Sequence, residues 1–224
     1  MMTLINPGQR KSALRLSAGL TVGSLLIALL AGCASGLLPK PQAEPTLFVL
    51  DDAAWAQPTG GAVTPTYGSP RTLVVDPPRA AAGFDGRNIA YVRRAHELEY
   101  FAQSQWVDTP SHMLAPLMVR ALQRSGAFTA VLQSPSAAVG ALRLETELVR
   151  LQQDFTQTPS QVRLTLRAVL VETATRRVIS WRELETRTVA AKDDAYGGAV
   201  AANRAVQTLM VELVDFCRQA SNIQ

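Results

Sequence analysis

Leu142-Arg143-Leu144-Glu145-Thr146-Glu147-Leu148 sets an apolar or β-branched side chain at every second position, with a charge between each pair. Successive side chains on a strand point to opposite faces, so this stretch predicts a half-buried strand with one dry face and one wet face. Val162, Leu164, Leu166, Ala168 and Leu170 repeat the pattern, with Arg163, Thr165 and Arg167 between them. A third run, Val178 to Val189, follows a Thr-Ala-Thr-Arg-Arg turn and mixes Ile179, Trp181 and Leu184 with charges. Three such runs in succession predict an antiparallel meander with one face on the core.

Shorter β-type runs precede the meander at Thr46 to Leu50, Thr72 to Asp76, Asn88 to Arg93, Glu97 to Ala102 and Phe128 to Leu132. The third and fourth predict a hairpin turning near Arg94-Ala95. Residues 53–70, rich in Pro and Gly, read as a loop, as do Gln133 to Gly140.

Two segments change period. Met113, Leu114, Leu117, Met118, Ala121 and Leu122 recur at spacings of three and four, predicting a helix between Thr109 and Ser125. Thr109 or Ser111 can cap its start, and Gly126 stands where a left-handed residue closes a helix. Pro116 is awkward inside it, so the regular helix is expected to begin near Pro116 or to kink there. The second helix runs from Asp194 to about Ala220, with Val200, Val206, Met210, Leu213, Val214 and Cys217 on its apolar stripe. Asp193 and Asp194 suit its positive end. Strands with two helices predict an α+β fold: a mostly antiparallel sheet with both helices packed on one face.

Leu30-Ala31-Gly32-Cys33 closes a leader that begins with Arg10, Lys11 and Arg15 and continues as an apolar run from Leu16 to Leu30. That run is shorter than the roughly 20 residues of a membrane span, as in a signal peptide. Leu30, Ala31 and Gly32 before Cys33 resemble the lipobox at which bacterial lipoproteins are cleaved and lipidated. The resemblance implies a signal peptide over residues 1–32 and diacylglycerol plus an N-acyl chain, palmitate among the candidates, on Cys33. Residues 33–45 hold three prolines and read as a Pro-rich tether of the lipidated Cys. The folded domain is expected over 46–220. Ala34 is not the Asp that commonly retains lipoproteins in the inner membrane, which implies the outer membrane, facing the periplasm.

Three of the 22 basic residues and none of the 18 acidic ones precede Cys33, so the mature part is nearly neutral and carries no nucleic-acid footprint. A lipidated Cys33 leaves Cys217 without a disulfide partner. His96 and His112 lie far apart without ligand spacing, and no phosphate loop, nucleophile elbow or Ser-x-x-Lys arrangement occurs, so no metal, cofactor or enzymatic role is expected. Asp51-Asp52 and Asp193-Asp194 read as loop and helix-start residues rather than acid/base pairs. Tyr91, Tyr100, Phe101 and Trp106 form the most suggestive cluster. Tyr91, Tyr100 and Trp106 are candidate partner-interface residues, weighed against a core role. Met113, Met118 and Met210 read as core filler, and Arg176-Arg177 as turn decoration or a contact for anionic headgroups.

In order along the chain, the lipobox, Phe48 to Leu50, Pro78 through Gly83 to Tyr91, Leu98 to Phe101 with Trp106, the Met113-Leu114 helix and Ser125 to Phe128 together resemble the ABC-type transport auxiliary lipoproteins. The resemblance covers most of residues 46–217. It implies a non-enzymatic outer-membrane partner of an inner-membrane ABC transporter, permease and ATPase, or of a mammalian-cell-entry (MCE) domain protein, in lipid movement or envelope integrity. It leaves room for assembly into a homo-oligomer ring. The competing expectation is a periplasmic lipid carrier with an apolar cavity between helices and sheet.

Overall fold

The computed structural model describes residues 44–52 and 69–221. The expected signal peptide, the lipobox residues Leu30, Ala31 and Gly32, the acceptor Cys33 and the tether through residue 43 lie outside the described residues. The described residues form one compact unit.

Its described residues form nine strands and two helices. The strands are β1 (Thr46–Phe48), β2 (Ser69–Val75), β3 (Arg79–Ala80), β4 (Asn88–Val92), β5 (Glu99–Trp106), β6 (Phe128–Gln133), β7 (Leu142–Asp154), β8 (Gln161–Glu172) and β9 (Arg177–Val189). Helix α1 (Pro110–Arg124) separates β5 from β6, and α2 (Ala195–Ser221) ends the described chain.

The opening heptapeptide is the first half of β7, the axis of the sheet. Along one side, Leu142 to Asp154 pairs antiparallel with β8, which pairs antiparallel with β9. Along the other side, β7 is flanked by three short strands in turn: β2 at Leu142 to Leu144, β3 at Glu147 and Leu148, and β4 at Gln152 to Asp154. All three run parallel to it. β6 extends the sheet parallel to β2, β5 antiparallel to β4, and β1 parallel to β5. The sheet is therefore mixed, which corrects the mostly antiparallel expectation. Apolar alternation reports which side chains face the core and is the same for either direction of a neighbour; only the long crossovers fix the direction.

Both helices lie on one face. Thr146 of β7 donates to the Met118 sulfur of α1 at 3.9 Å, and Thr186 of β9 donates to the Ala205 carbonyl of α2 at 3.4 Å. Between these layers Leu144, Leu148, Leu164 and Leu166 meet Leu114, Leu122, Leu209 and Leu213, all fully buried. The three methionines are buried there too, as is Cys217, whose thiol burial pushes up to about 12.

The caps follow the sequence with two differences. Thr109 caps α1, its hydroxyl accepting the His112 N–H at 3.4 Å, and Gly126 takes φ 62° past the end. The helix, however, starts at Pro110 and runs through Pro116, neither beginning there nor waiting for it. Pro116 is solvent-exposed, and so is His112, whose carbonyl loses its partner, so water can satisfy that group. At α2 the Asp194 carboxylate accepts the Gly197 N–H at 2.7 Å, whereas the Asp193 carboxylate turns away to accept the Ser160 N–H at 2.9 Å. Those bonds from Ser160 hold the Asp193 carboxyl below its ordinary range. Asp52 likewise serves the fold, 3.1 Å from Arg120 and 3.4 Å from Arg124 of α1.

Candidate functional site

The three residues expected at a partner interface do not share a surface. Trp106 is buried in the helix–sheet core at 2% exposure. Tyr91 is buried as well, in a separate aromatic group where three strand ends meet. Its ring centroid lies 4.6 Å from Phe101 and 5.8 Å from Phe155. Phe155 is drawn in by its N–H, which donates to the Val92 carbonyl at 2.8 Å. The Arg93 guanidinium caps the group 5.0 Å above the Tyr91 ring. The Tyr91 hydroxyl donates to Glu99 at 2.8 Å, and this bond to a carboxylate, with burial, raises the phenol above its ordinary value.

Tyr100 alone is exposed. Its neighbour Phe101 points into the aromatic group, so alternation turns Tyr100 to the opposite face of β5. There its hydroxyl donates to the Gly83 carbonyl at 3.1 Å. Gly83 has φ 89°, and a Cβ there would stand 3.0 Å from Leu98, so glycine lets this loop close against Leu98 and Tyr100. Core packing therefore claims Tyr91 and Trp106, and Tyr100 is the one member left with an exposed ring.

Beyond Tyr100 the same face opens into a groove of about 590 Å³. Phe84, Val92 and Leu98 supply its apolar side, while Arg150, Asp154 and Arg163 supply its charges. His96, at φ 67°, turns the loop that forms one wall. Asp154 is buried and its carboxylate accepts both the N–H and the hydroxyl of Thr156. Arg163 approaches Glu185 at 3.4 Å, yet its buried Nε–H has no hydrogen-bond partner among the described residues. Sequence alone could not assemble this groove, since its walls come from β4, β7, β8 and three loops.

The groove continues into a charged lattice on the solvent face of the meander. Glu185 accepts Arg187 at 2.8 Å and stands 3.4 Å from Arg163. The hydrogen bond from Arg187 holds its carboxyl below the ordinary range against the opposing effect of burial. Arg167 bridges Glu147 at 3.0 Å and Glu183 at 3.4 Å.

Among the described residues no group of three His, Cys, Asp or Glu side chains is placed to hold a metal ion, and no helix is long and apolar enough to cross a membrane. Between sheet and α2, the space bounded by Ile89, Trp106, Leu151 and Ala202 is about 10 Å³. That is no larger than a water-sized site, far from the volume of an acyl chain. The surface groove, by contrast, has room for a segment of a partner.

The fold is shared with solved structures of low sequence identity. A crystal structure of a Xanthomonas campestris protein of the DUF330 family is 23% identical, with a TM-score of 0.63 over 80% of this chain and 95% of that one. A second, of an uncharacterized protein, is 10% identical with a TM-score of 0.59 over 78% of this chain and 99% of that one. No curated protein matches the chain at significant similarity. The sequence profile of the ABC-type transport auxiliary lipoprotein component matches residues 48–214, from the last residue of β1 to the final turns of α2. The chain belongs to the ABC-type transport auxiliary lipoprotein family.

Proposed function

We propose that the protein is a non-enzymatic adaptor of an ABC transport system, held at the periplasmic side of the outer membrane by acyl chains on Cys33. In this reading the transporter is an inner-membrane permease and ATPase working with an MCE-domain protein in lipid movement or envelope integrity. The folded domain contributes a docking surface rather than chemistry. Family membership over 48–214 is the observation that carries the reading. The space of about 10 Å³ beside Trp106 and Ala202 is too small for the lipid tail that a carrier would hold, which favours the adaptor at that position.

The groove beside His96 fits this role. Its apolar wall and paired charges suit a segment of a partner chain. Ring assembly would multiply such contacts around a central partner.

Crosslinking in whole cells followed by affinity recovery tests the reading. Recovery of transporter permease or MCE-domain peptides, lost in a Leu98→Glu variant, is the expected result. Recovery of peptidoglycan-associated proteins alone would remove the transporter assignment. Co-purifying phospholipid in native mass spectrometry of the unlipidated domain would favour the carrier instead. Intact-mass analysis of membrane-extracted protein tests the anchor, since an unmodified Cys33 behind an uncleaved leader would end it.

A further inference from the structure

The turn joining β8 to β9 and the loop between β6 and β7 lie side by side at one corner of the sheet. Leu142 stands opposite Glu172, and the Thr173 N–H donates to the Ala141 carbonyl at 3.0 Å. Segments distant in sequence thereby adjoin. Val139 is 85% exposed, Trp181 65% and Val178 53%. Arg176, at φ 58°, and Arg177 stand exposed at the turn, and among the described residues neither guanidinium is engaged by a carboxylate. Farther along the same strands Arg167 pairs with Glu147 and Glu183, Arg187 pairs with Glu185, and Arg182 lies over the Phe216 ring.

An edge strand ordinarily avoids uncovered large apolar side chains, because they invite association. Here Val178 and Trp181 follow two exposed arginines along β9, and Val139 stands exposed on the adjoining loop. We propose that this corner docks on the surface of an anionic phospholipid membrane. Arg176 and Arg177 meet headgroup phosphates, and Trp181, Val178 and Val139 enter the interfacial layer. Guanidinium groups bind phosphate through paired N–H donors. An indole suits the interface because its ring is apolar and its N–H stays near water. Val178 and Trp181 protrude from β9, and Val139 from the loop between β6 and β7. A fluid headgroup layer accepts such protrusions without matching their shape, whereas a protein partner needs complementary pockets.

Docking here would orient the domain on its membrane, and it does not require the lipid on Cys33. The test therefore uses residues 44–224 without leader or lipid. That segment holds all nine strands and both helices, so it retains the whole described core. Cosedimentation is measured with vesicles of phosphatidylglycerol and phosphatidylcholine, and with phosphatidylcholine alone. Binding to the anionic vesicles only, weakened by salt, is expected. Arg176→Gln combined with Arg177→Gln should lower partitioning about 20-fold, near fivefold per basic residue. In a Trp55→Phe background, indole emission should shift to the blue on binding, since Trp106 is already buried, and Trp181→Ala should abolish the shift. Circular dichroism checks that each variant stays folded. Absence of binding, equal binding to neutral vesicles, or full binding by the double variant would each overturn the proposal. So would arginine-dependent capture of an acidic transporter component by a domain with no vesicle affinity. An unmodified Cys33 alongside intact vesicle binding would sink the anchor while leaving this corner's role standing.

Discussion

The Tyr91 hydroxyl donates to the Glu99 carboxylate at 2.8 Å across the β4–β5 pair, joining the buried aromatic group to the surface. Tyr91→Phe removes this donor and leaves the ring contacts with Phe101 and Phe155. The expected loss is about 1 kcal/mol in urea unfolding, since Glu99 is partly exposed and can turn to water. A loss near 3 kcal/mol would mean that the hydroxyl organises the whole aromatic group.

Glu185 ties Arg163 and Arg187 together on the solvent face. Its folded pKa lies below the ordinary value of 4.5, so its contribution is complete above that value and is lost as pH falls through the lower folded one. Glu185→Gln should flatten the acid side of the stability profile. At neutral pH it should cost under about 1 kcal/mol, because the pairs are partly solvated. Parallel acid limbs in the two proteins would contradict this.

Cys217 gives the opposite sign at the alkaline end. Burial raises its thiol from 9.0 to about 12, so folding favours the protonated form. Its contribution is full below the unfolded pKa and declines as pH rises toward the folded one. Across that window the slope approaches 1.4 kcal/mol per pH unit. Comparing Cys217→Ala with the parent protein isolates this slope, because every tyrosine and lysine titrates alike in both. The variant should lose stability less steeply above pH 9, measured by thermal unfolding in a pH series.

Gly198 lets the first turn of α2 approach β7. A Cβ there would collide with the side-chain oxygen of Gln153, which is itself buried and donates through its amide nitrogen to Ser160 at 2.9 Å. Gly198→Ala should destabilise by about 1–3 kcal/mol despite the better helix propensity of alanine. Gly198→Ala with Gln153→Ala should recover part of that loss. A stabilised single variant would show that α2 can lift from the sheet without penalty.

Leu166 is fully buried at the centre of β8, between β7 and β9 and beneath the helices. Leu166→Ala should cost about 2–5 kcal/mol in chemical denaturation with the unfolding slope unchanged. Trp181→Ala, on an exposed side chain of the adjacent strand, should change stability by less than about 0.5 kcal/mol. That contrast separates a core position from a surface one.

Both helices, the long meander and most of the core were legible in the sequence, because alternation and three-to-four spacing report directly which side chains avoid water. Leu144, Leu164, Met118 and Leu213 could each be placed on a buried face without coordinates. Strand direction was not legible. The same alternation serves a parallel or an antiparallel neighbour, so β2, β3 and β4 lying parallel to β7 had no local signature. The candidate interface was legible only as composition. Tyr91, Tyr100 and Trp106 carry similar rings, but strand pleating and the position of each along β4 or β5 send them to an aromatic group, the open face and the core.

What the sequence alone determined is local and chemical: the capping residues and the periodicities. Tertiary structure alone decided what depends on distant segments meeting. It built the groove around Arg163 and set Val139 beside the Arg176 turn. The reason is physical: burial preference is written in neighbouring residues, whereas a surface is made by chain crossings whose ends are far apart in sequence.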